Sequence, residues 1–281
     1  MAEVRVPGSG LAPVGPIEPS PWRGGSWSAP GWASGAIGIA GLLVVWEVLA
    51  LTVLRQSGVV PTPVAILQQM WADRDLYPPN LLTTVSEAGW GWLVGNTLAI
   101  VLAFAAIQVP AAEKALVRVA VATYALPIIA VAPILQVTLS GSAPKIALAA
   151  LAVFFTTMTG TLLGLRSADR AMLDVVRACG GGKLAQLRKV RIMAALPSVF
   201  AGLRIAAPAA VLGAIVGEWM GGQNGLGIAM VASEQSAQVA RTWGLAIVSA
   251  GVGGLAYMLT SLAGSLLLPW ANQGRRAGGS R

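Results

Sequence analysis

Apolar residues fall into six long runs along the chain, and polar and charged residues gather between them. The runs cover residues 36–54, 81–107, 115–139, 145–165, 198–217 and 242–270. About 20 apolar residues in an α-helix cross the roughly 30 Å of hydrocarbon in a bilayer, so each run is long enough to span a membrane. Continuous runs favour helices over the alternating strands of a membrane β-barrel. The pattern predicts an all-α membrane protein with about six transmembrane helices.

The overall composition supports this interpretation. Hydrophobic residues make up 56% of the chain, charged residues only 11%, and the mean hydropathy is +0.71. A soluble domain carries about 25% charged residues. A chain of this composition is expected to lie in a bilayer.

Lysine and arginine gather in alternate loops, and cytoplasmic loops carry the excess of these residues in membrane proteins. Fourteen of the 19 lie on one side of the predicted bundle: Arg5, Arg23, Lys114, Arg118, Arg166, Arg170, Arg177, Lys183, Arg188, Lys189, Arg191, Arg275, Arg276 and Arg281. This predicts a multi-pass membrane protein with both termini in the cytoplasm. The same topology explains the net charge of +8 without a nucleic-acid partner.

Three regions follow from these patterns. Residues 1–33 are rich in Pro, Gly and Ser and poor in aliphatic residues, so they are expected to form a disordered cytoplasmic arm. Residues 34–272 are predicted to form the transmembrane domain, and residues 273–281 a cytoplasmic tail.

The loop between the fourth and fifth runs is basic and broken by glycines. It extends from Asp174 to Arg204 and is expected to contain two short helices joined by a turn at Gly180, because glycine adopts positive φ without strain. Arg204, within the fifth run, is predicted to lie near the cytoplasmic end of its span, where its side chain can reach the headgroups.

The sequence offers no catalytic or metal site. It contains no His, and its single Cys cannot form an intramolecular disulfide or half of a zinc site. The run from Gly180 to Lys183 superficially resembles a phosphate-binding loop, but Leu184 stands where Ser or Thr would bind magnesium. We therefore expect that the chain is not an enzyme and does not hydrolyse ATP by itself.

Several motifs, in order, resemble the transmembrane permease subunit of an ATP-binding-cassette (ABC) importer. They are VPTPVAIL at 60–67, ALPIIAVAPIL at 125–135, the basic loop, and GEWMGGQNGLG at 217–227. The basic loop is similar to the EAA motif of that family, although valines replace its alanines. The matching residues, with two basic neighbours, form the predicted ATPase-coupling loop, within about residues 167–197: Asp174, Val175, Val176, Arg177, Gly180, Lys183, Val190, Leu196 and Pro197.

The resemblance implies a type I importer fold, a location in the bacterial cytoplasmic (inner) membrane and a set of partners. They are a second copy of the chain, two cytoplasmic ABC ATPase subunits and an extracytoplasmic solute-binding protein. It also implies that no cofactor binds this chain, because ATP and Mg would bind the ATPase. The loop would then act as a rigid projection through which the ATPase moves the membrane helices.

The resemblance extends to the branch that transports sulfonates, taurine, nitrate and pyrimidine precursors. A carboxylate at Glu87, within the second run, disfavours a nearby anion, so we expect a nitrogen heterocycle (pyrimidine-precursor or hydantoin-like) in preference to a sulfonate, taurine or nitrate anion. The candidate pathway residues are Glu87, Asn96, Gln136, Thr156 and Thr157. The alternative is that Glu87 pairs with a neighbouring helix.

Two other classes of protein remain as alternatives. A secondary transporter or channel would need no ATPase, but it predicts internal repeats, which the sequence does not show, and gives the basic loop no role. A membrane enzyme would need a cluster of charged catalytic residues, and few ionisable residues lie within the apolar runs.

Overall fold

The computed structural model describes residues 31–52 and 58–270. The chain divides into two units, Met1–Trp46 and Glu47–Arg281. Of the first unit, residues 31–46 are described, and they form the first part of helix α1. The predicted arm, apart from its last three residues, and the predicted tail lie outside the described residues.

The described ranges contain α-helices, one π-helical turn at Leu187–Arg191 between α8 and α9, and no strand. The helices are α1 (Gly31–Leu51), α2 (Pro63–Ala72), α3 (Tyr77–Ala106), α4 (Pro110–Ala125), α5 (Ile128–Thr138), α6 (Ala143–Arg166), α7 (Arg170–Ala178), α8 (Lys183–Gln186), α9 (Ile192–Met220), α10 (Leu226–Gln235) and α11 (Val239–Leu267). The all-α prediction is confirmed.

Five of the six predicted spans are continuous helices long and apolar enough to cross a membrane. The predicted span 115–139 is instead two helices, α4 and α5, which meet at an angle of 95°. The break lies at Leu126, whose backbone is extended (φ −71°, ψ 124°) because Pro127 disfavours the helical conformation in the preceding residue. The number of spans is therefore six only if this bent pair crosses as one.

Small residues hold the centre of the second unit together, where α6 lies between α3 and α9. A Cβ at Gly95 of α3 would lie 2.5 Å from the carbonyl oxygen of Ala150, and one at Gly213 of α9 would lie 2.7 Å from the Cα of Ala149. Helix backbones approach this closely only where a side chain is missing, as is common in membrane helices.

Large apolar side chains cover much of the outer surface of these helices. Leu82 of α3 is 73% exposed and Leu266 of α11 is 72% exposed. In water such a surface would be unfavourable, whereas acyl chains solvate it. The exposed surface and the length of the helices together agree with a multi-pass membrane protein.

The bundle has two ends, here named after the short helices α7 and α10. The α7 end is where α6 ends at Arg166 and α9 begins, and it carries the predicted coupling loop. The α10 end is where α6 begins and α9 ends at Met220, and it carries α10.

Candidate functional site

The predicted coupling loop at the α7 end has two short helices and a glycine turn. Asp169 caps α7, its side chain accepting a hydrogen bond from the Ala171 N–H at 3.0 Å. After α7, Gly180 has φ +78° and its N–H donates to the carbonyl of Arg177 at 2.9 Å, while the Gly181 N–H donates to the carbonyl of Val176 at 2.8 Å. These paired bonds form a Schellman motif, which requires the left-handed conformation at Gly180.

The two adjacent glycines are needed for different reasons. A Cβ at Gly180 would meet no atom within 4 Å, so only its backbone conformation demands glycine. A Cβ at Gly181 would lie 2.6 Å from Cγ1 of Val176. Gly182 has neither constraint. The turn therefore has one well-defined shape, set by two neighbouring residues.

Helix α7 presents an apolar surface to its surroundings. None of its residues is buried, and Met172 and Val175 are 60% and 62% exposed. Leu184, the second residue of α8, is 65% exposed. Asp174 and Arg177 form an exposed ion pair of 3.3 Å on the same helix. A short helix with exposed apolar side chains ringed by charges is typical of a surface that another protein covers.

The loop is joined to α9 by a buried segment. Gln186 is buried and its Nε2 donates to the carbonyl of Leu173 at 3.3 Å, which ties α8 back to α7. Val190 is 8% exposed, in the π-helical turn, and Leu196 is half-buried in α9. Lys183 and Pro197 are exposed. The predicted coupling residues thus form one continuous structure that begins at α7 and enters the bundle.

At the α10 end, charged side chains are buried between helices. Nζ of Lys145, at the start of α6, lies 2.9 Å from Oε1 of Glu87 on α3, with side chains 9% and 5% exposed. Oε2 of Glu87 has no hydrogen-bond partner among the residues that the structure describes. The carboxylate predicted to face a pathway is therefore enclosed and paired within one chain.

A second buried carboxylate holds the beginning of α10. Glu218, fully buried near the end of α9, accepts hydrogen bonds from the Thr84 hydroxyl and the Gly227 N–H, each at 2.6 Å. Thr84 also accepts from the Leu226 N–H at 2.9 Å, and Oδ1 of Asn80 accepts from the Gly225 N–H at 2.8 Å. Three consecutive N–H groups at the start of α10 are thus capped by side chains of α3 and α9.

The glycines of the GEWMGGQNGLG motif fit around this carboxylate. Gly225 has φ +132°, and a Cβ there would lie 2.6 Å from Oε2 of Glu218. A Cβ at Gly227 would lie 2.6 Å from the carbonyl oxygen of Ile215. The motif therefore encodes a compact joint between α9 and α10.

The remaining pathway candidates also have partners inside the chain. The Thr157 hydroxyl donates to Oδ1 of Asn96 across α6 and α3, and both residues are buried. Nε2 of Gln136 donates to the carbonyls of Gly217 and Gly221 at 3.1 and 3.3 Å. Thr156 is half-buried on α6. Within one chain, four of the candidates therefore form contacts between helices: Glu87, Asn96, Thr157 and Gln136. For Glu87 this is the alternative interpretation, in which it pairs with a neighbouring helix.

Two residues central to this cluster were not among the candidates. Lys145 is the first residue of the apolar run 145–165, and this position alone assigns it no partner. Glu218 lies in the GEWMGGQNGLG motif, and the motif alone assigns its side chain no role. An acid and a lysine within separate apolar runs signal an interhelical pair, since neither charge is stable alone in hydrocarbon.

The helices at this end are also linked by a partly buried ion pair. Oδ1 of Asp73, after α2, lies 2.6 Å from Nη2 of Arg241 on α11, and Oδ2 accepts from Nε at 2.7 Å. The hydrogen bond from Arg241 lowers the pKa of Asp73 from its ordinary value. This paired geometry fixes α2 against the beginning of α11.

Comparison with known proteins assigns the chain to a class. Residues 95–276 match the family described as binding-protein-dependent transport system inner membrane component, and the chain belongs to that family. It is 32% identical over 199 residues to a probable ABC transporter permease protein of Haemophilus influenzae, covering 70% of this chain and 81% of that protein.

Two further relatives have named solutes. The formylaminopyrimidine transport permease protein ThiX of Halalkalibacterium halodurans is 32% identical over 188 residues, which is 66% of this chain and 75% of the relative. The putative aliphatic sulfonates transport permease protein SsuC of Bacillus subtilis is 28% identical over 246 residues, 86% of this chain and 89% of the relative. The chain is thus a permease subunit of an ABC transporter, and the secondary transporter, channel and membrane enzyme are no longer retained as alternatives.

Proposed function

We propose that the chain is the membrane subunit of an ATP-driven importer, in which the α7 end docks on a cytoplasmic ATPase. The observation that carries this proposal is the exposed apolar surface of Met172, Val175 and Leu184 beside the fixed turn at Gly180. A movable ATPase can transmit force only through a projection that keeps its shape. The Schellman motif and the bond from Gln186 to α7 supply that shape.

The proposed assembly contains two copies of this chain, two ABC ATPase subunits that bind ATP and Mg, and a solute-binding protein on the opposite face. A two-fold pair is the commonest closed assembly of identical chains. The excess of basic residues in the loops of the α7 end supports a cytoplasmic location for that end.

Cys179 provides a direct test of docking, because it is the single cysteine of the chain and is exposed directly after α7. A maleimide should label it readily in the isolated permease and slowly in the assembled transporter. Its modification before assembly should also prevent the ATPase from binding. Equal labelling rates in the isolated and the assembled protein would contradict docking at this loop.

For the solute, we propose a small nitrogen heterocycle of the pyrimidine-precursor or hydantoin-like class. The cluster at the α10 end contains two carboxylates, Glu87 and Glu218, and one ammonium group, Lys145, which is already paired. Such a cluster offers no unpaired cation to an anionic solute and repels it. The similarity to a formylaminopyrimidine permease supports the same class.

The second candidate is an importer of sulfonate-type anions, which the similarity to an aliphatic sulfonates permease favours. The complete transporter, with its ATPase and binding protein in liposomes, should take up labelled formylaminopyrimidine and not methanesulfonate. Uptake of the sulfonate alone would establish the second candidate and reject the first.

A further inference from the structure

A cavity of about 340 Å³ lies at the α7 end of the bundle, beside the predicted coupling loop. The end of α6, the segment before α7, the first turn of α7 and the last residue of the π-helical turn contribute its lining: Leu165, Arg166, Ala168, Arg170, Leu173 and Arg191. Three of these six residues are arginines, and none is acidic. Arginine stays protonated in proteins, so the cavity is strongly positive.

Two of the three arginines lack an opposite charge. The guanidinium of Arg166 is paired, its Nη2 lying 2.5 Å from Oε1 of Glu113 on α4. Arg170 is exposed and Arg191 is half-buried, and neither forms an ion pair with any of the residues that the structure describes. Two like charges that line one cavity repel each other, and an anion bound there would remove this repulsion.

The cavity lies at the level that lipid headgroups occupy. Helix α6 contains 24 residues, so it is about 36 Å long, slightly longer than the roughly 30 Å of hydrocarbon in a bilayer. A helix of this length that crosses the bilayer has its ends among the headgroups, and Arg166 is its last residue. Basic pockets between membrane helices bind the phosphates of anionic lipids at this level.

The cavity also lies on the opposite face of α7 from the side chains proposed to contact the ATPase. Successive residues of an α-helix are rotated by about 100°, so Arg170 and Leu173 share one face of α7. Met172 and Val175 share another face, about 160° away. An ATPase that covers Met172 and Val175 therefore leaves the cavity to a different ligand.

We propose that the cavity binds a phosphate group, that of an anionic phospholipid, between Arg170 and Arg191. A guanidinium donates two parallel N–H bonds to phosphate oxygens, which makes arginine well suited to this ligand. A cavity of about 150 Å³ already holds a benzene ring, so this one has space for a phosphate. The bound phosphate links the first turn of α7 to the segment that enters α9, and so holds the coupling loop against the bundle.

The test uses the full-length permease chain without its ATPase, so the result does not depend on where the ATPase docks. Native mass spectrometry of the protein in detergent, titrated with phosphatidylglycerol or phosphatidylcholine, measures the binding of each lipid. We expect the wild type to prefer phosphatidylglycerol. Arg170→Gln combined with Arg191→Gln should weaken that binding by about tenfold or more, because charge-assisted hydrogen bonds are lost.

A matched control separates the cavity from the net charge of the loop. Arg188→Gln combined with Lys189→Gln removes two positive charges from exposed residues outside the cavity, so it should leave the affinity nearly unchanged. Arg170→Lys combined with Arg191→Lys keeps both charges but not the paired geometry, so its affinity should be intermediate. Phosphatidylglycerol should also slow hydrogen exchange of the α7 amides in the wild type and in the control, and not in the double glutamine variant of the cavity.

Three results would overturn the proposal. An equal loss of affinity in the two double glutamine variants would show attraction by net charge alone. Displacement of phosphatidylglycerol by an equal concentration of inorganic phosphate would assign the cavity to a free anion. Loss of ATPase binding in lipid-free detergent, in the variant with Arg170→Gln and Arg191→Gln, would assign the two arginines to the ATPase.

Discussion

Gly180 provides the sharpest test of how the loop works. Its φ of +78° costs a residue with a Cβ roughly 1 to 2 kcal/mol, and no atom within 4 Å adds a steric penalty. Gly180→Val should therefore destabilise the turn by about this amount, and Gly180→Asn by less, because Asn tolerates the left-handed conformation. At the upper estimate, the native turn would lose more than tenfold in population relative to other loop conformations.

The loop sequence contains its own controls. Gly182→Ala changes a glycine with no positive φ and no close neighbour, so it should leave the turn intact. Gly181→Ala brings a methyl group within 2.6 Å of Val176 and 2.7 Å of its carbonyl oxygen, so it should disrupt the turn sterically. We expect Gly182→Ala to disrupt the turn least, Gly180→Asn more, and Gly180→Val more again. Gly181→Ala should also disrupt the turn.

The assay is the ratio of solute taken up to ATP hydrolysed in liposomes that contain the whole transporter. We expect Gly180→Val to lower this ratio or to release the ATPase, while Gly182→Ala keeps the wild-type ratio. Hydrogen exchange of the amides of Gly180 and Gly181 reports on the turn independently. Equal ratios for Gly180→Val and wild type, or equal damage from Gly182→Ala and Gly180→Val, would refute the reasoning.

Four further predictions follow from other parts of the structure. An impermeant maleimide should label Cys179 only from the cytoplasmic face of membrane vesicles, as the distribution of basic residues requires. Gly225→Ala should lower the melting temperature and expose α10 to hydrogen exchange, because the methyl group would collide with a buried carboxylate at a cost of about 1 to 3 kcal/mol. Glu87→Gln should destabilise the protein by about 3 kcal/mol or more, since it leaves the buried ammonium of Lys145 without an opposite charge, whereas Glu87→Leu combined with Lys145→Met should cost much less. The ion pair of Asp73 should stabilise the fold above its ordinary pKa near 3.8 and lose this effect as the pH falls through the lowered value, so Asp73→Asn should remove that part of the pH dependence of melting.

Each of these has a result that would contradict it. Labelling of Cys179 from the opposite face would show that the topology is the reverse of the predicted one. Unchanged exchange in α10 after Gly225→Ala would show that the joint with α9 is loose. A double replacement at Glu87 and Lys145 as harmful as Glu87→Gln would mean that packing, and not charge, dominates there. Identical melting curves of Asp73→Asn and wild type between pH 3 and 7 would show that the ion pair does not contribute to the stability of the fold.

The loop and most of the spans were predictable because their causes are local. A glycine between two short helical segments signals a left-handed turn, and Gly180 has that conformation. Runs of apolar residues give the spans directly. The 95° bend at Leu126 was only partly predictable, since Pro127 indicates a bend but not its angle. That angle depends on contacts of α5 with α6 and α9.

The cluster at the α10 end was harder to predict because its members are distant in sequence. Glu87 and Lys145 are paired across 58 positions, and Thr84 and Glu218 across 134. Hydropathy places each residue at a depth but does not say which helix it faces. The identity of the buried partner follows only once the packing of α3, α6 and α9 is known.

The helical path from Lys183 to Met220 is continuous through the π-helical turn and covers 38 residues. At 1.5 Å per residue it forms a rod of about 57 Å. One end lies beside the Gly180 turn, and the other carries Glu218, which holds the first turn of α10. A tilt of about 5° about its first turn would move the far end by about 5 Å, close to one turn of a helix. If the helix moves as one body, a small rotation at the Gly180 turn would thus become a displacement of several ångströms at the first turn of α10.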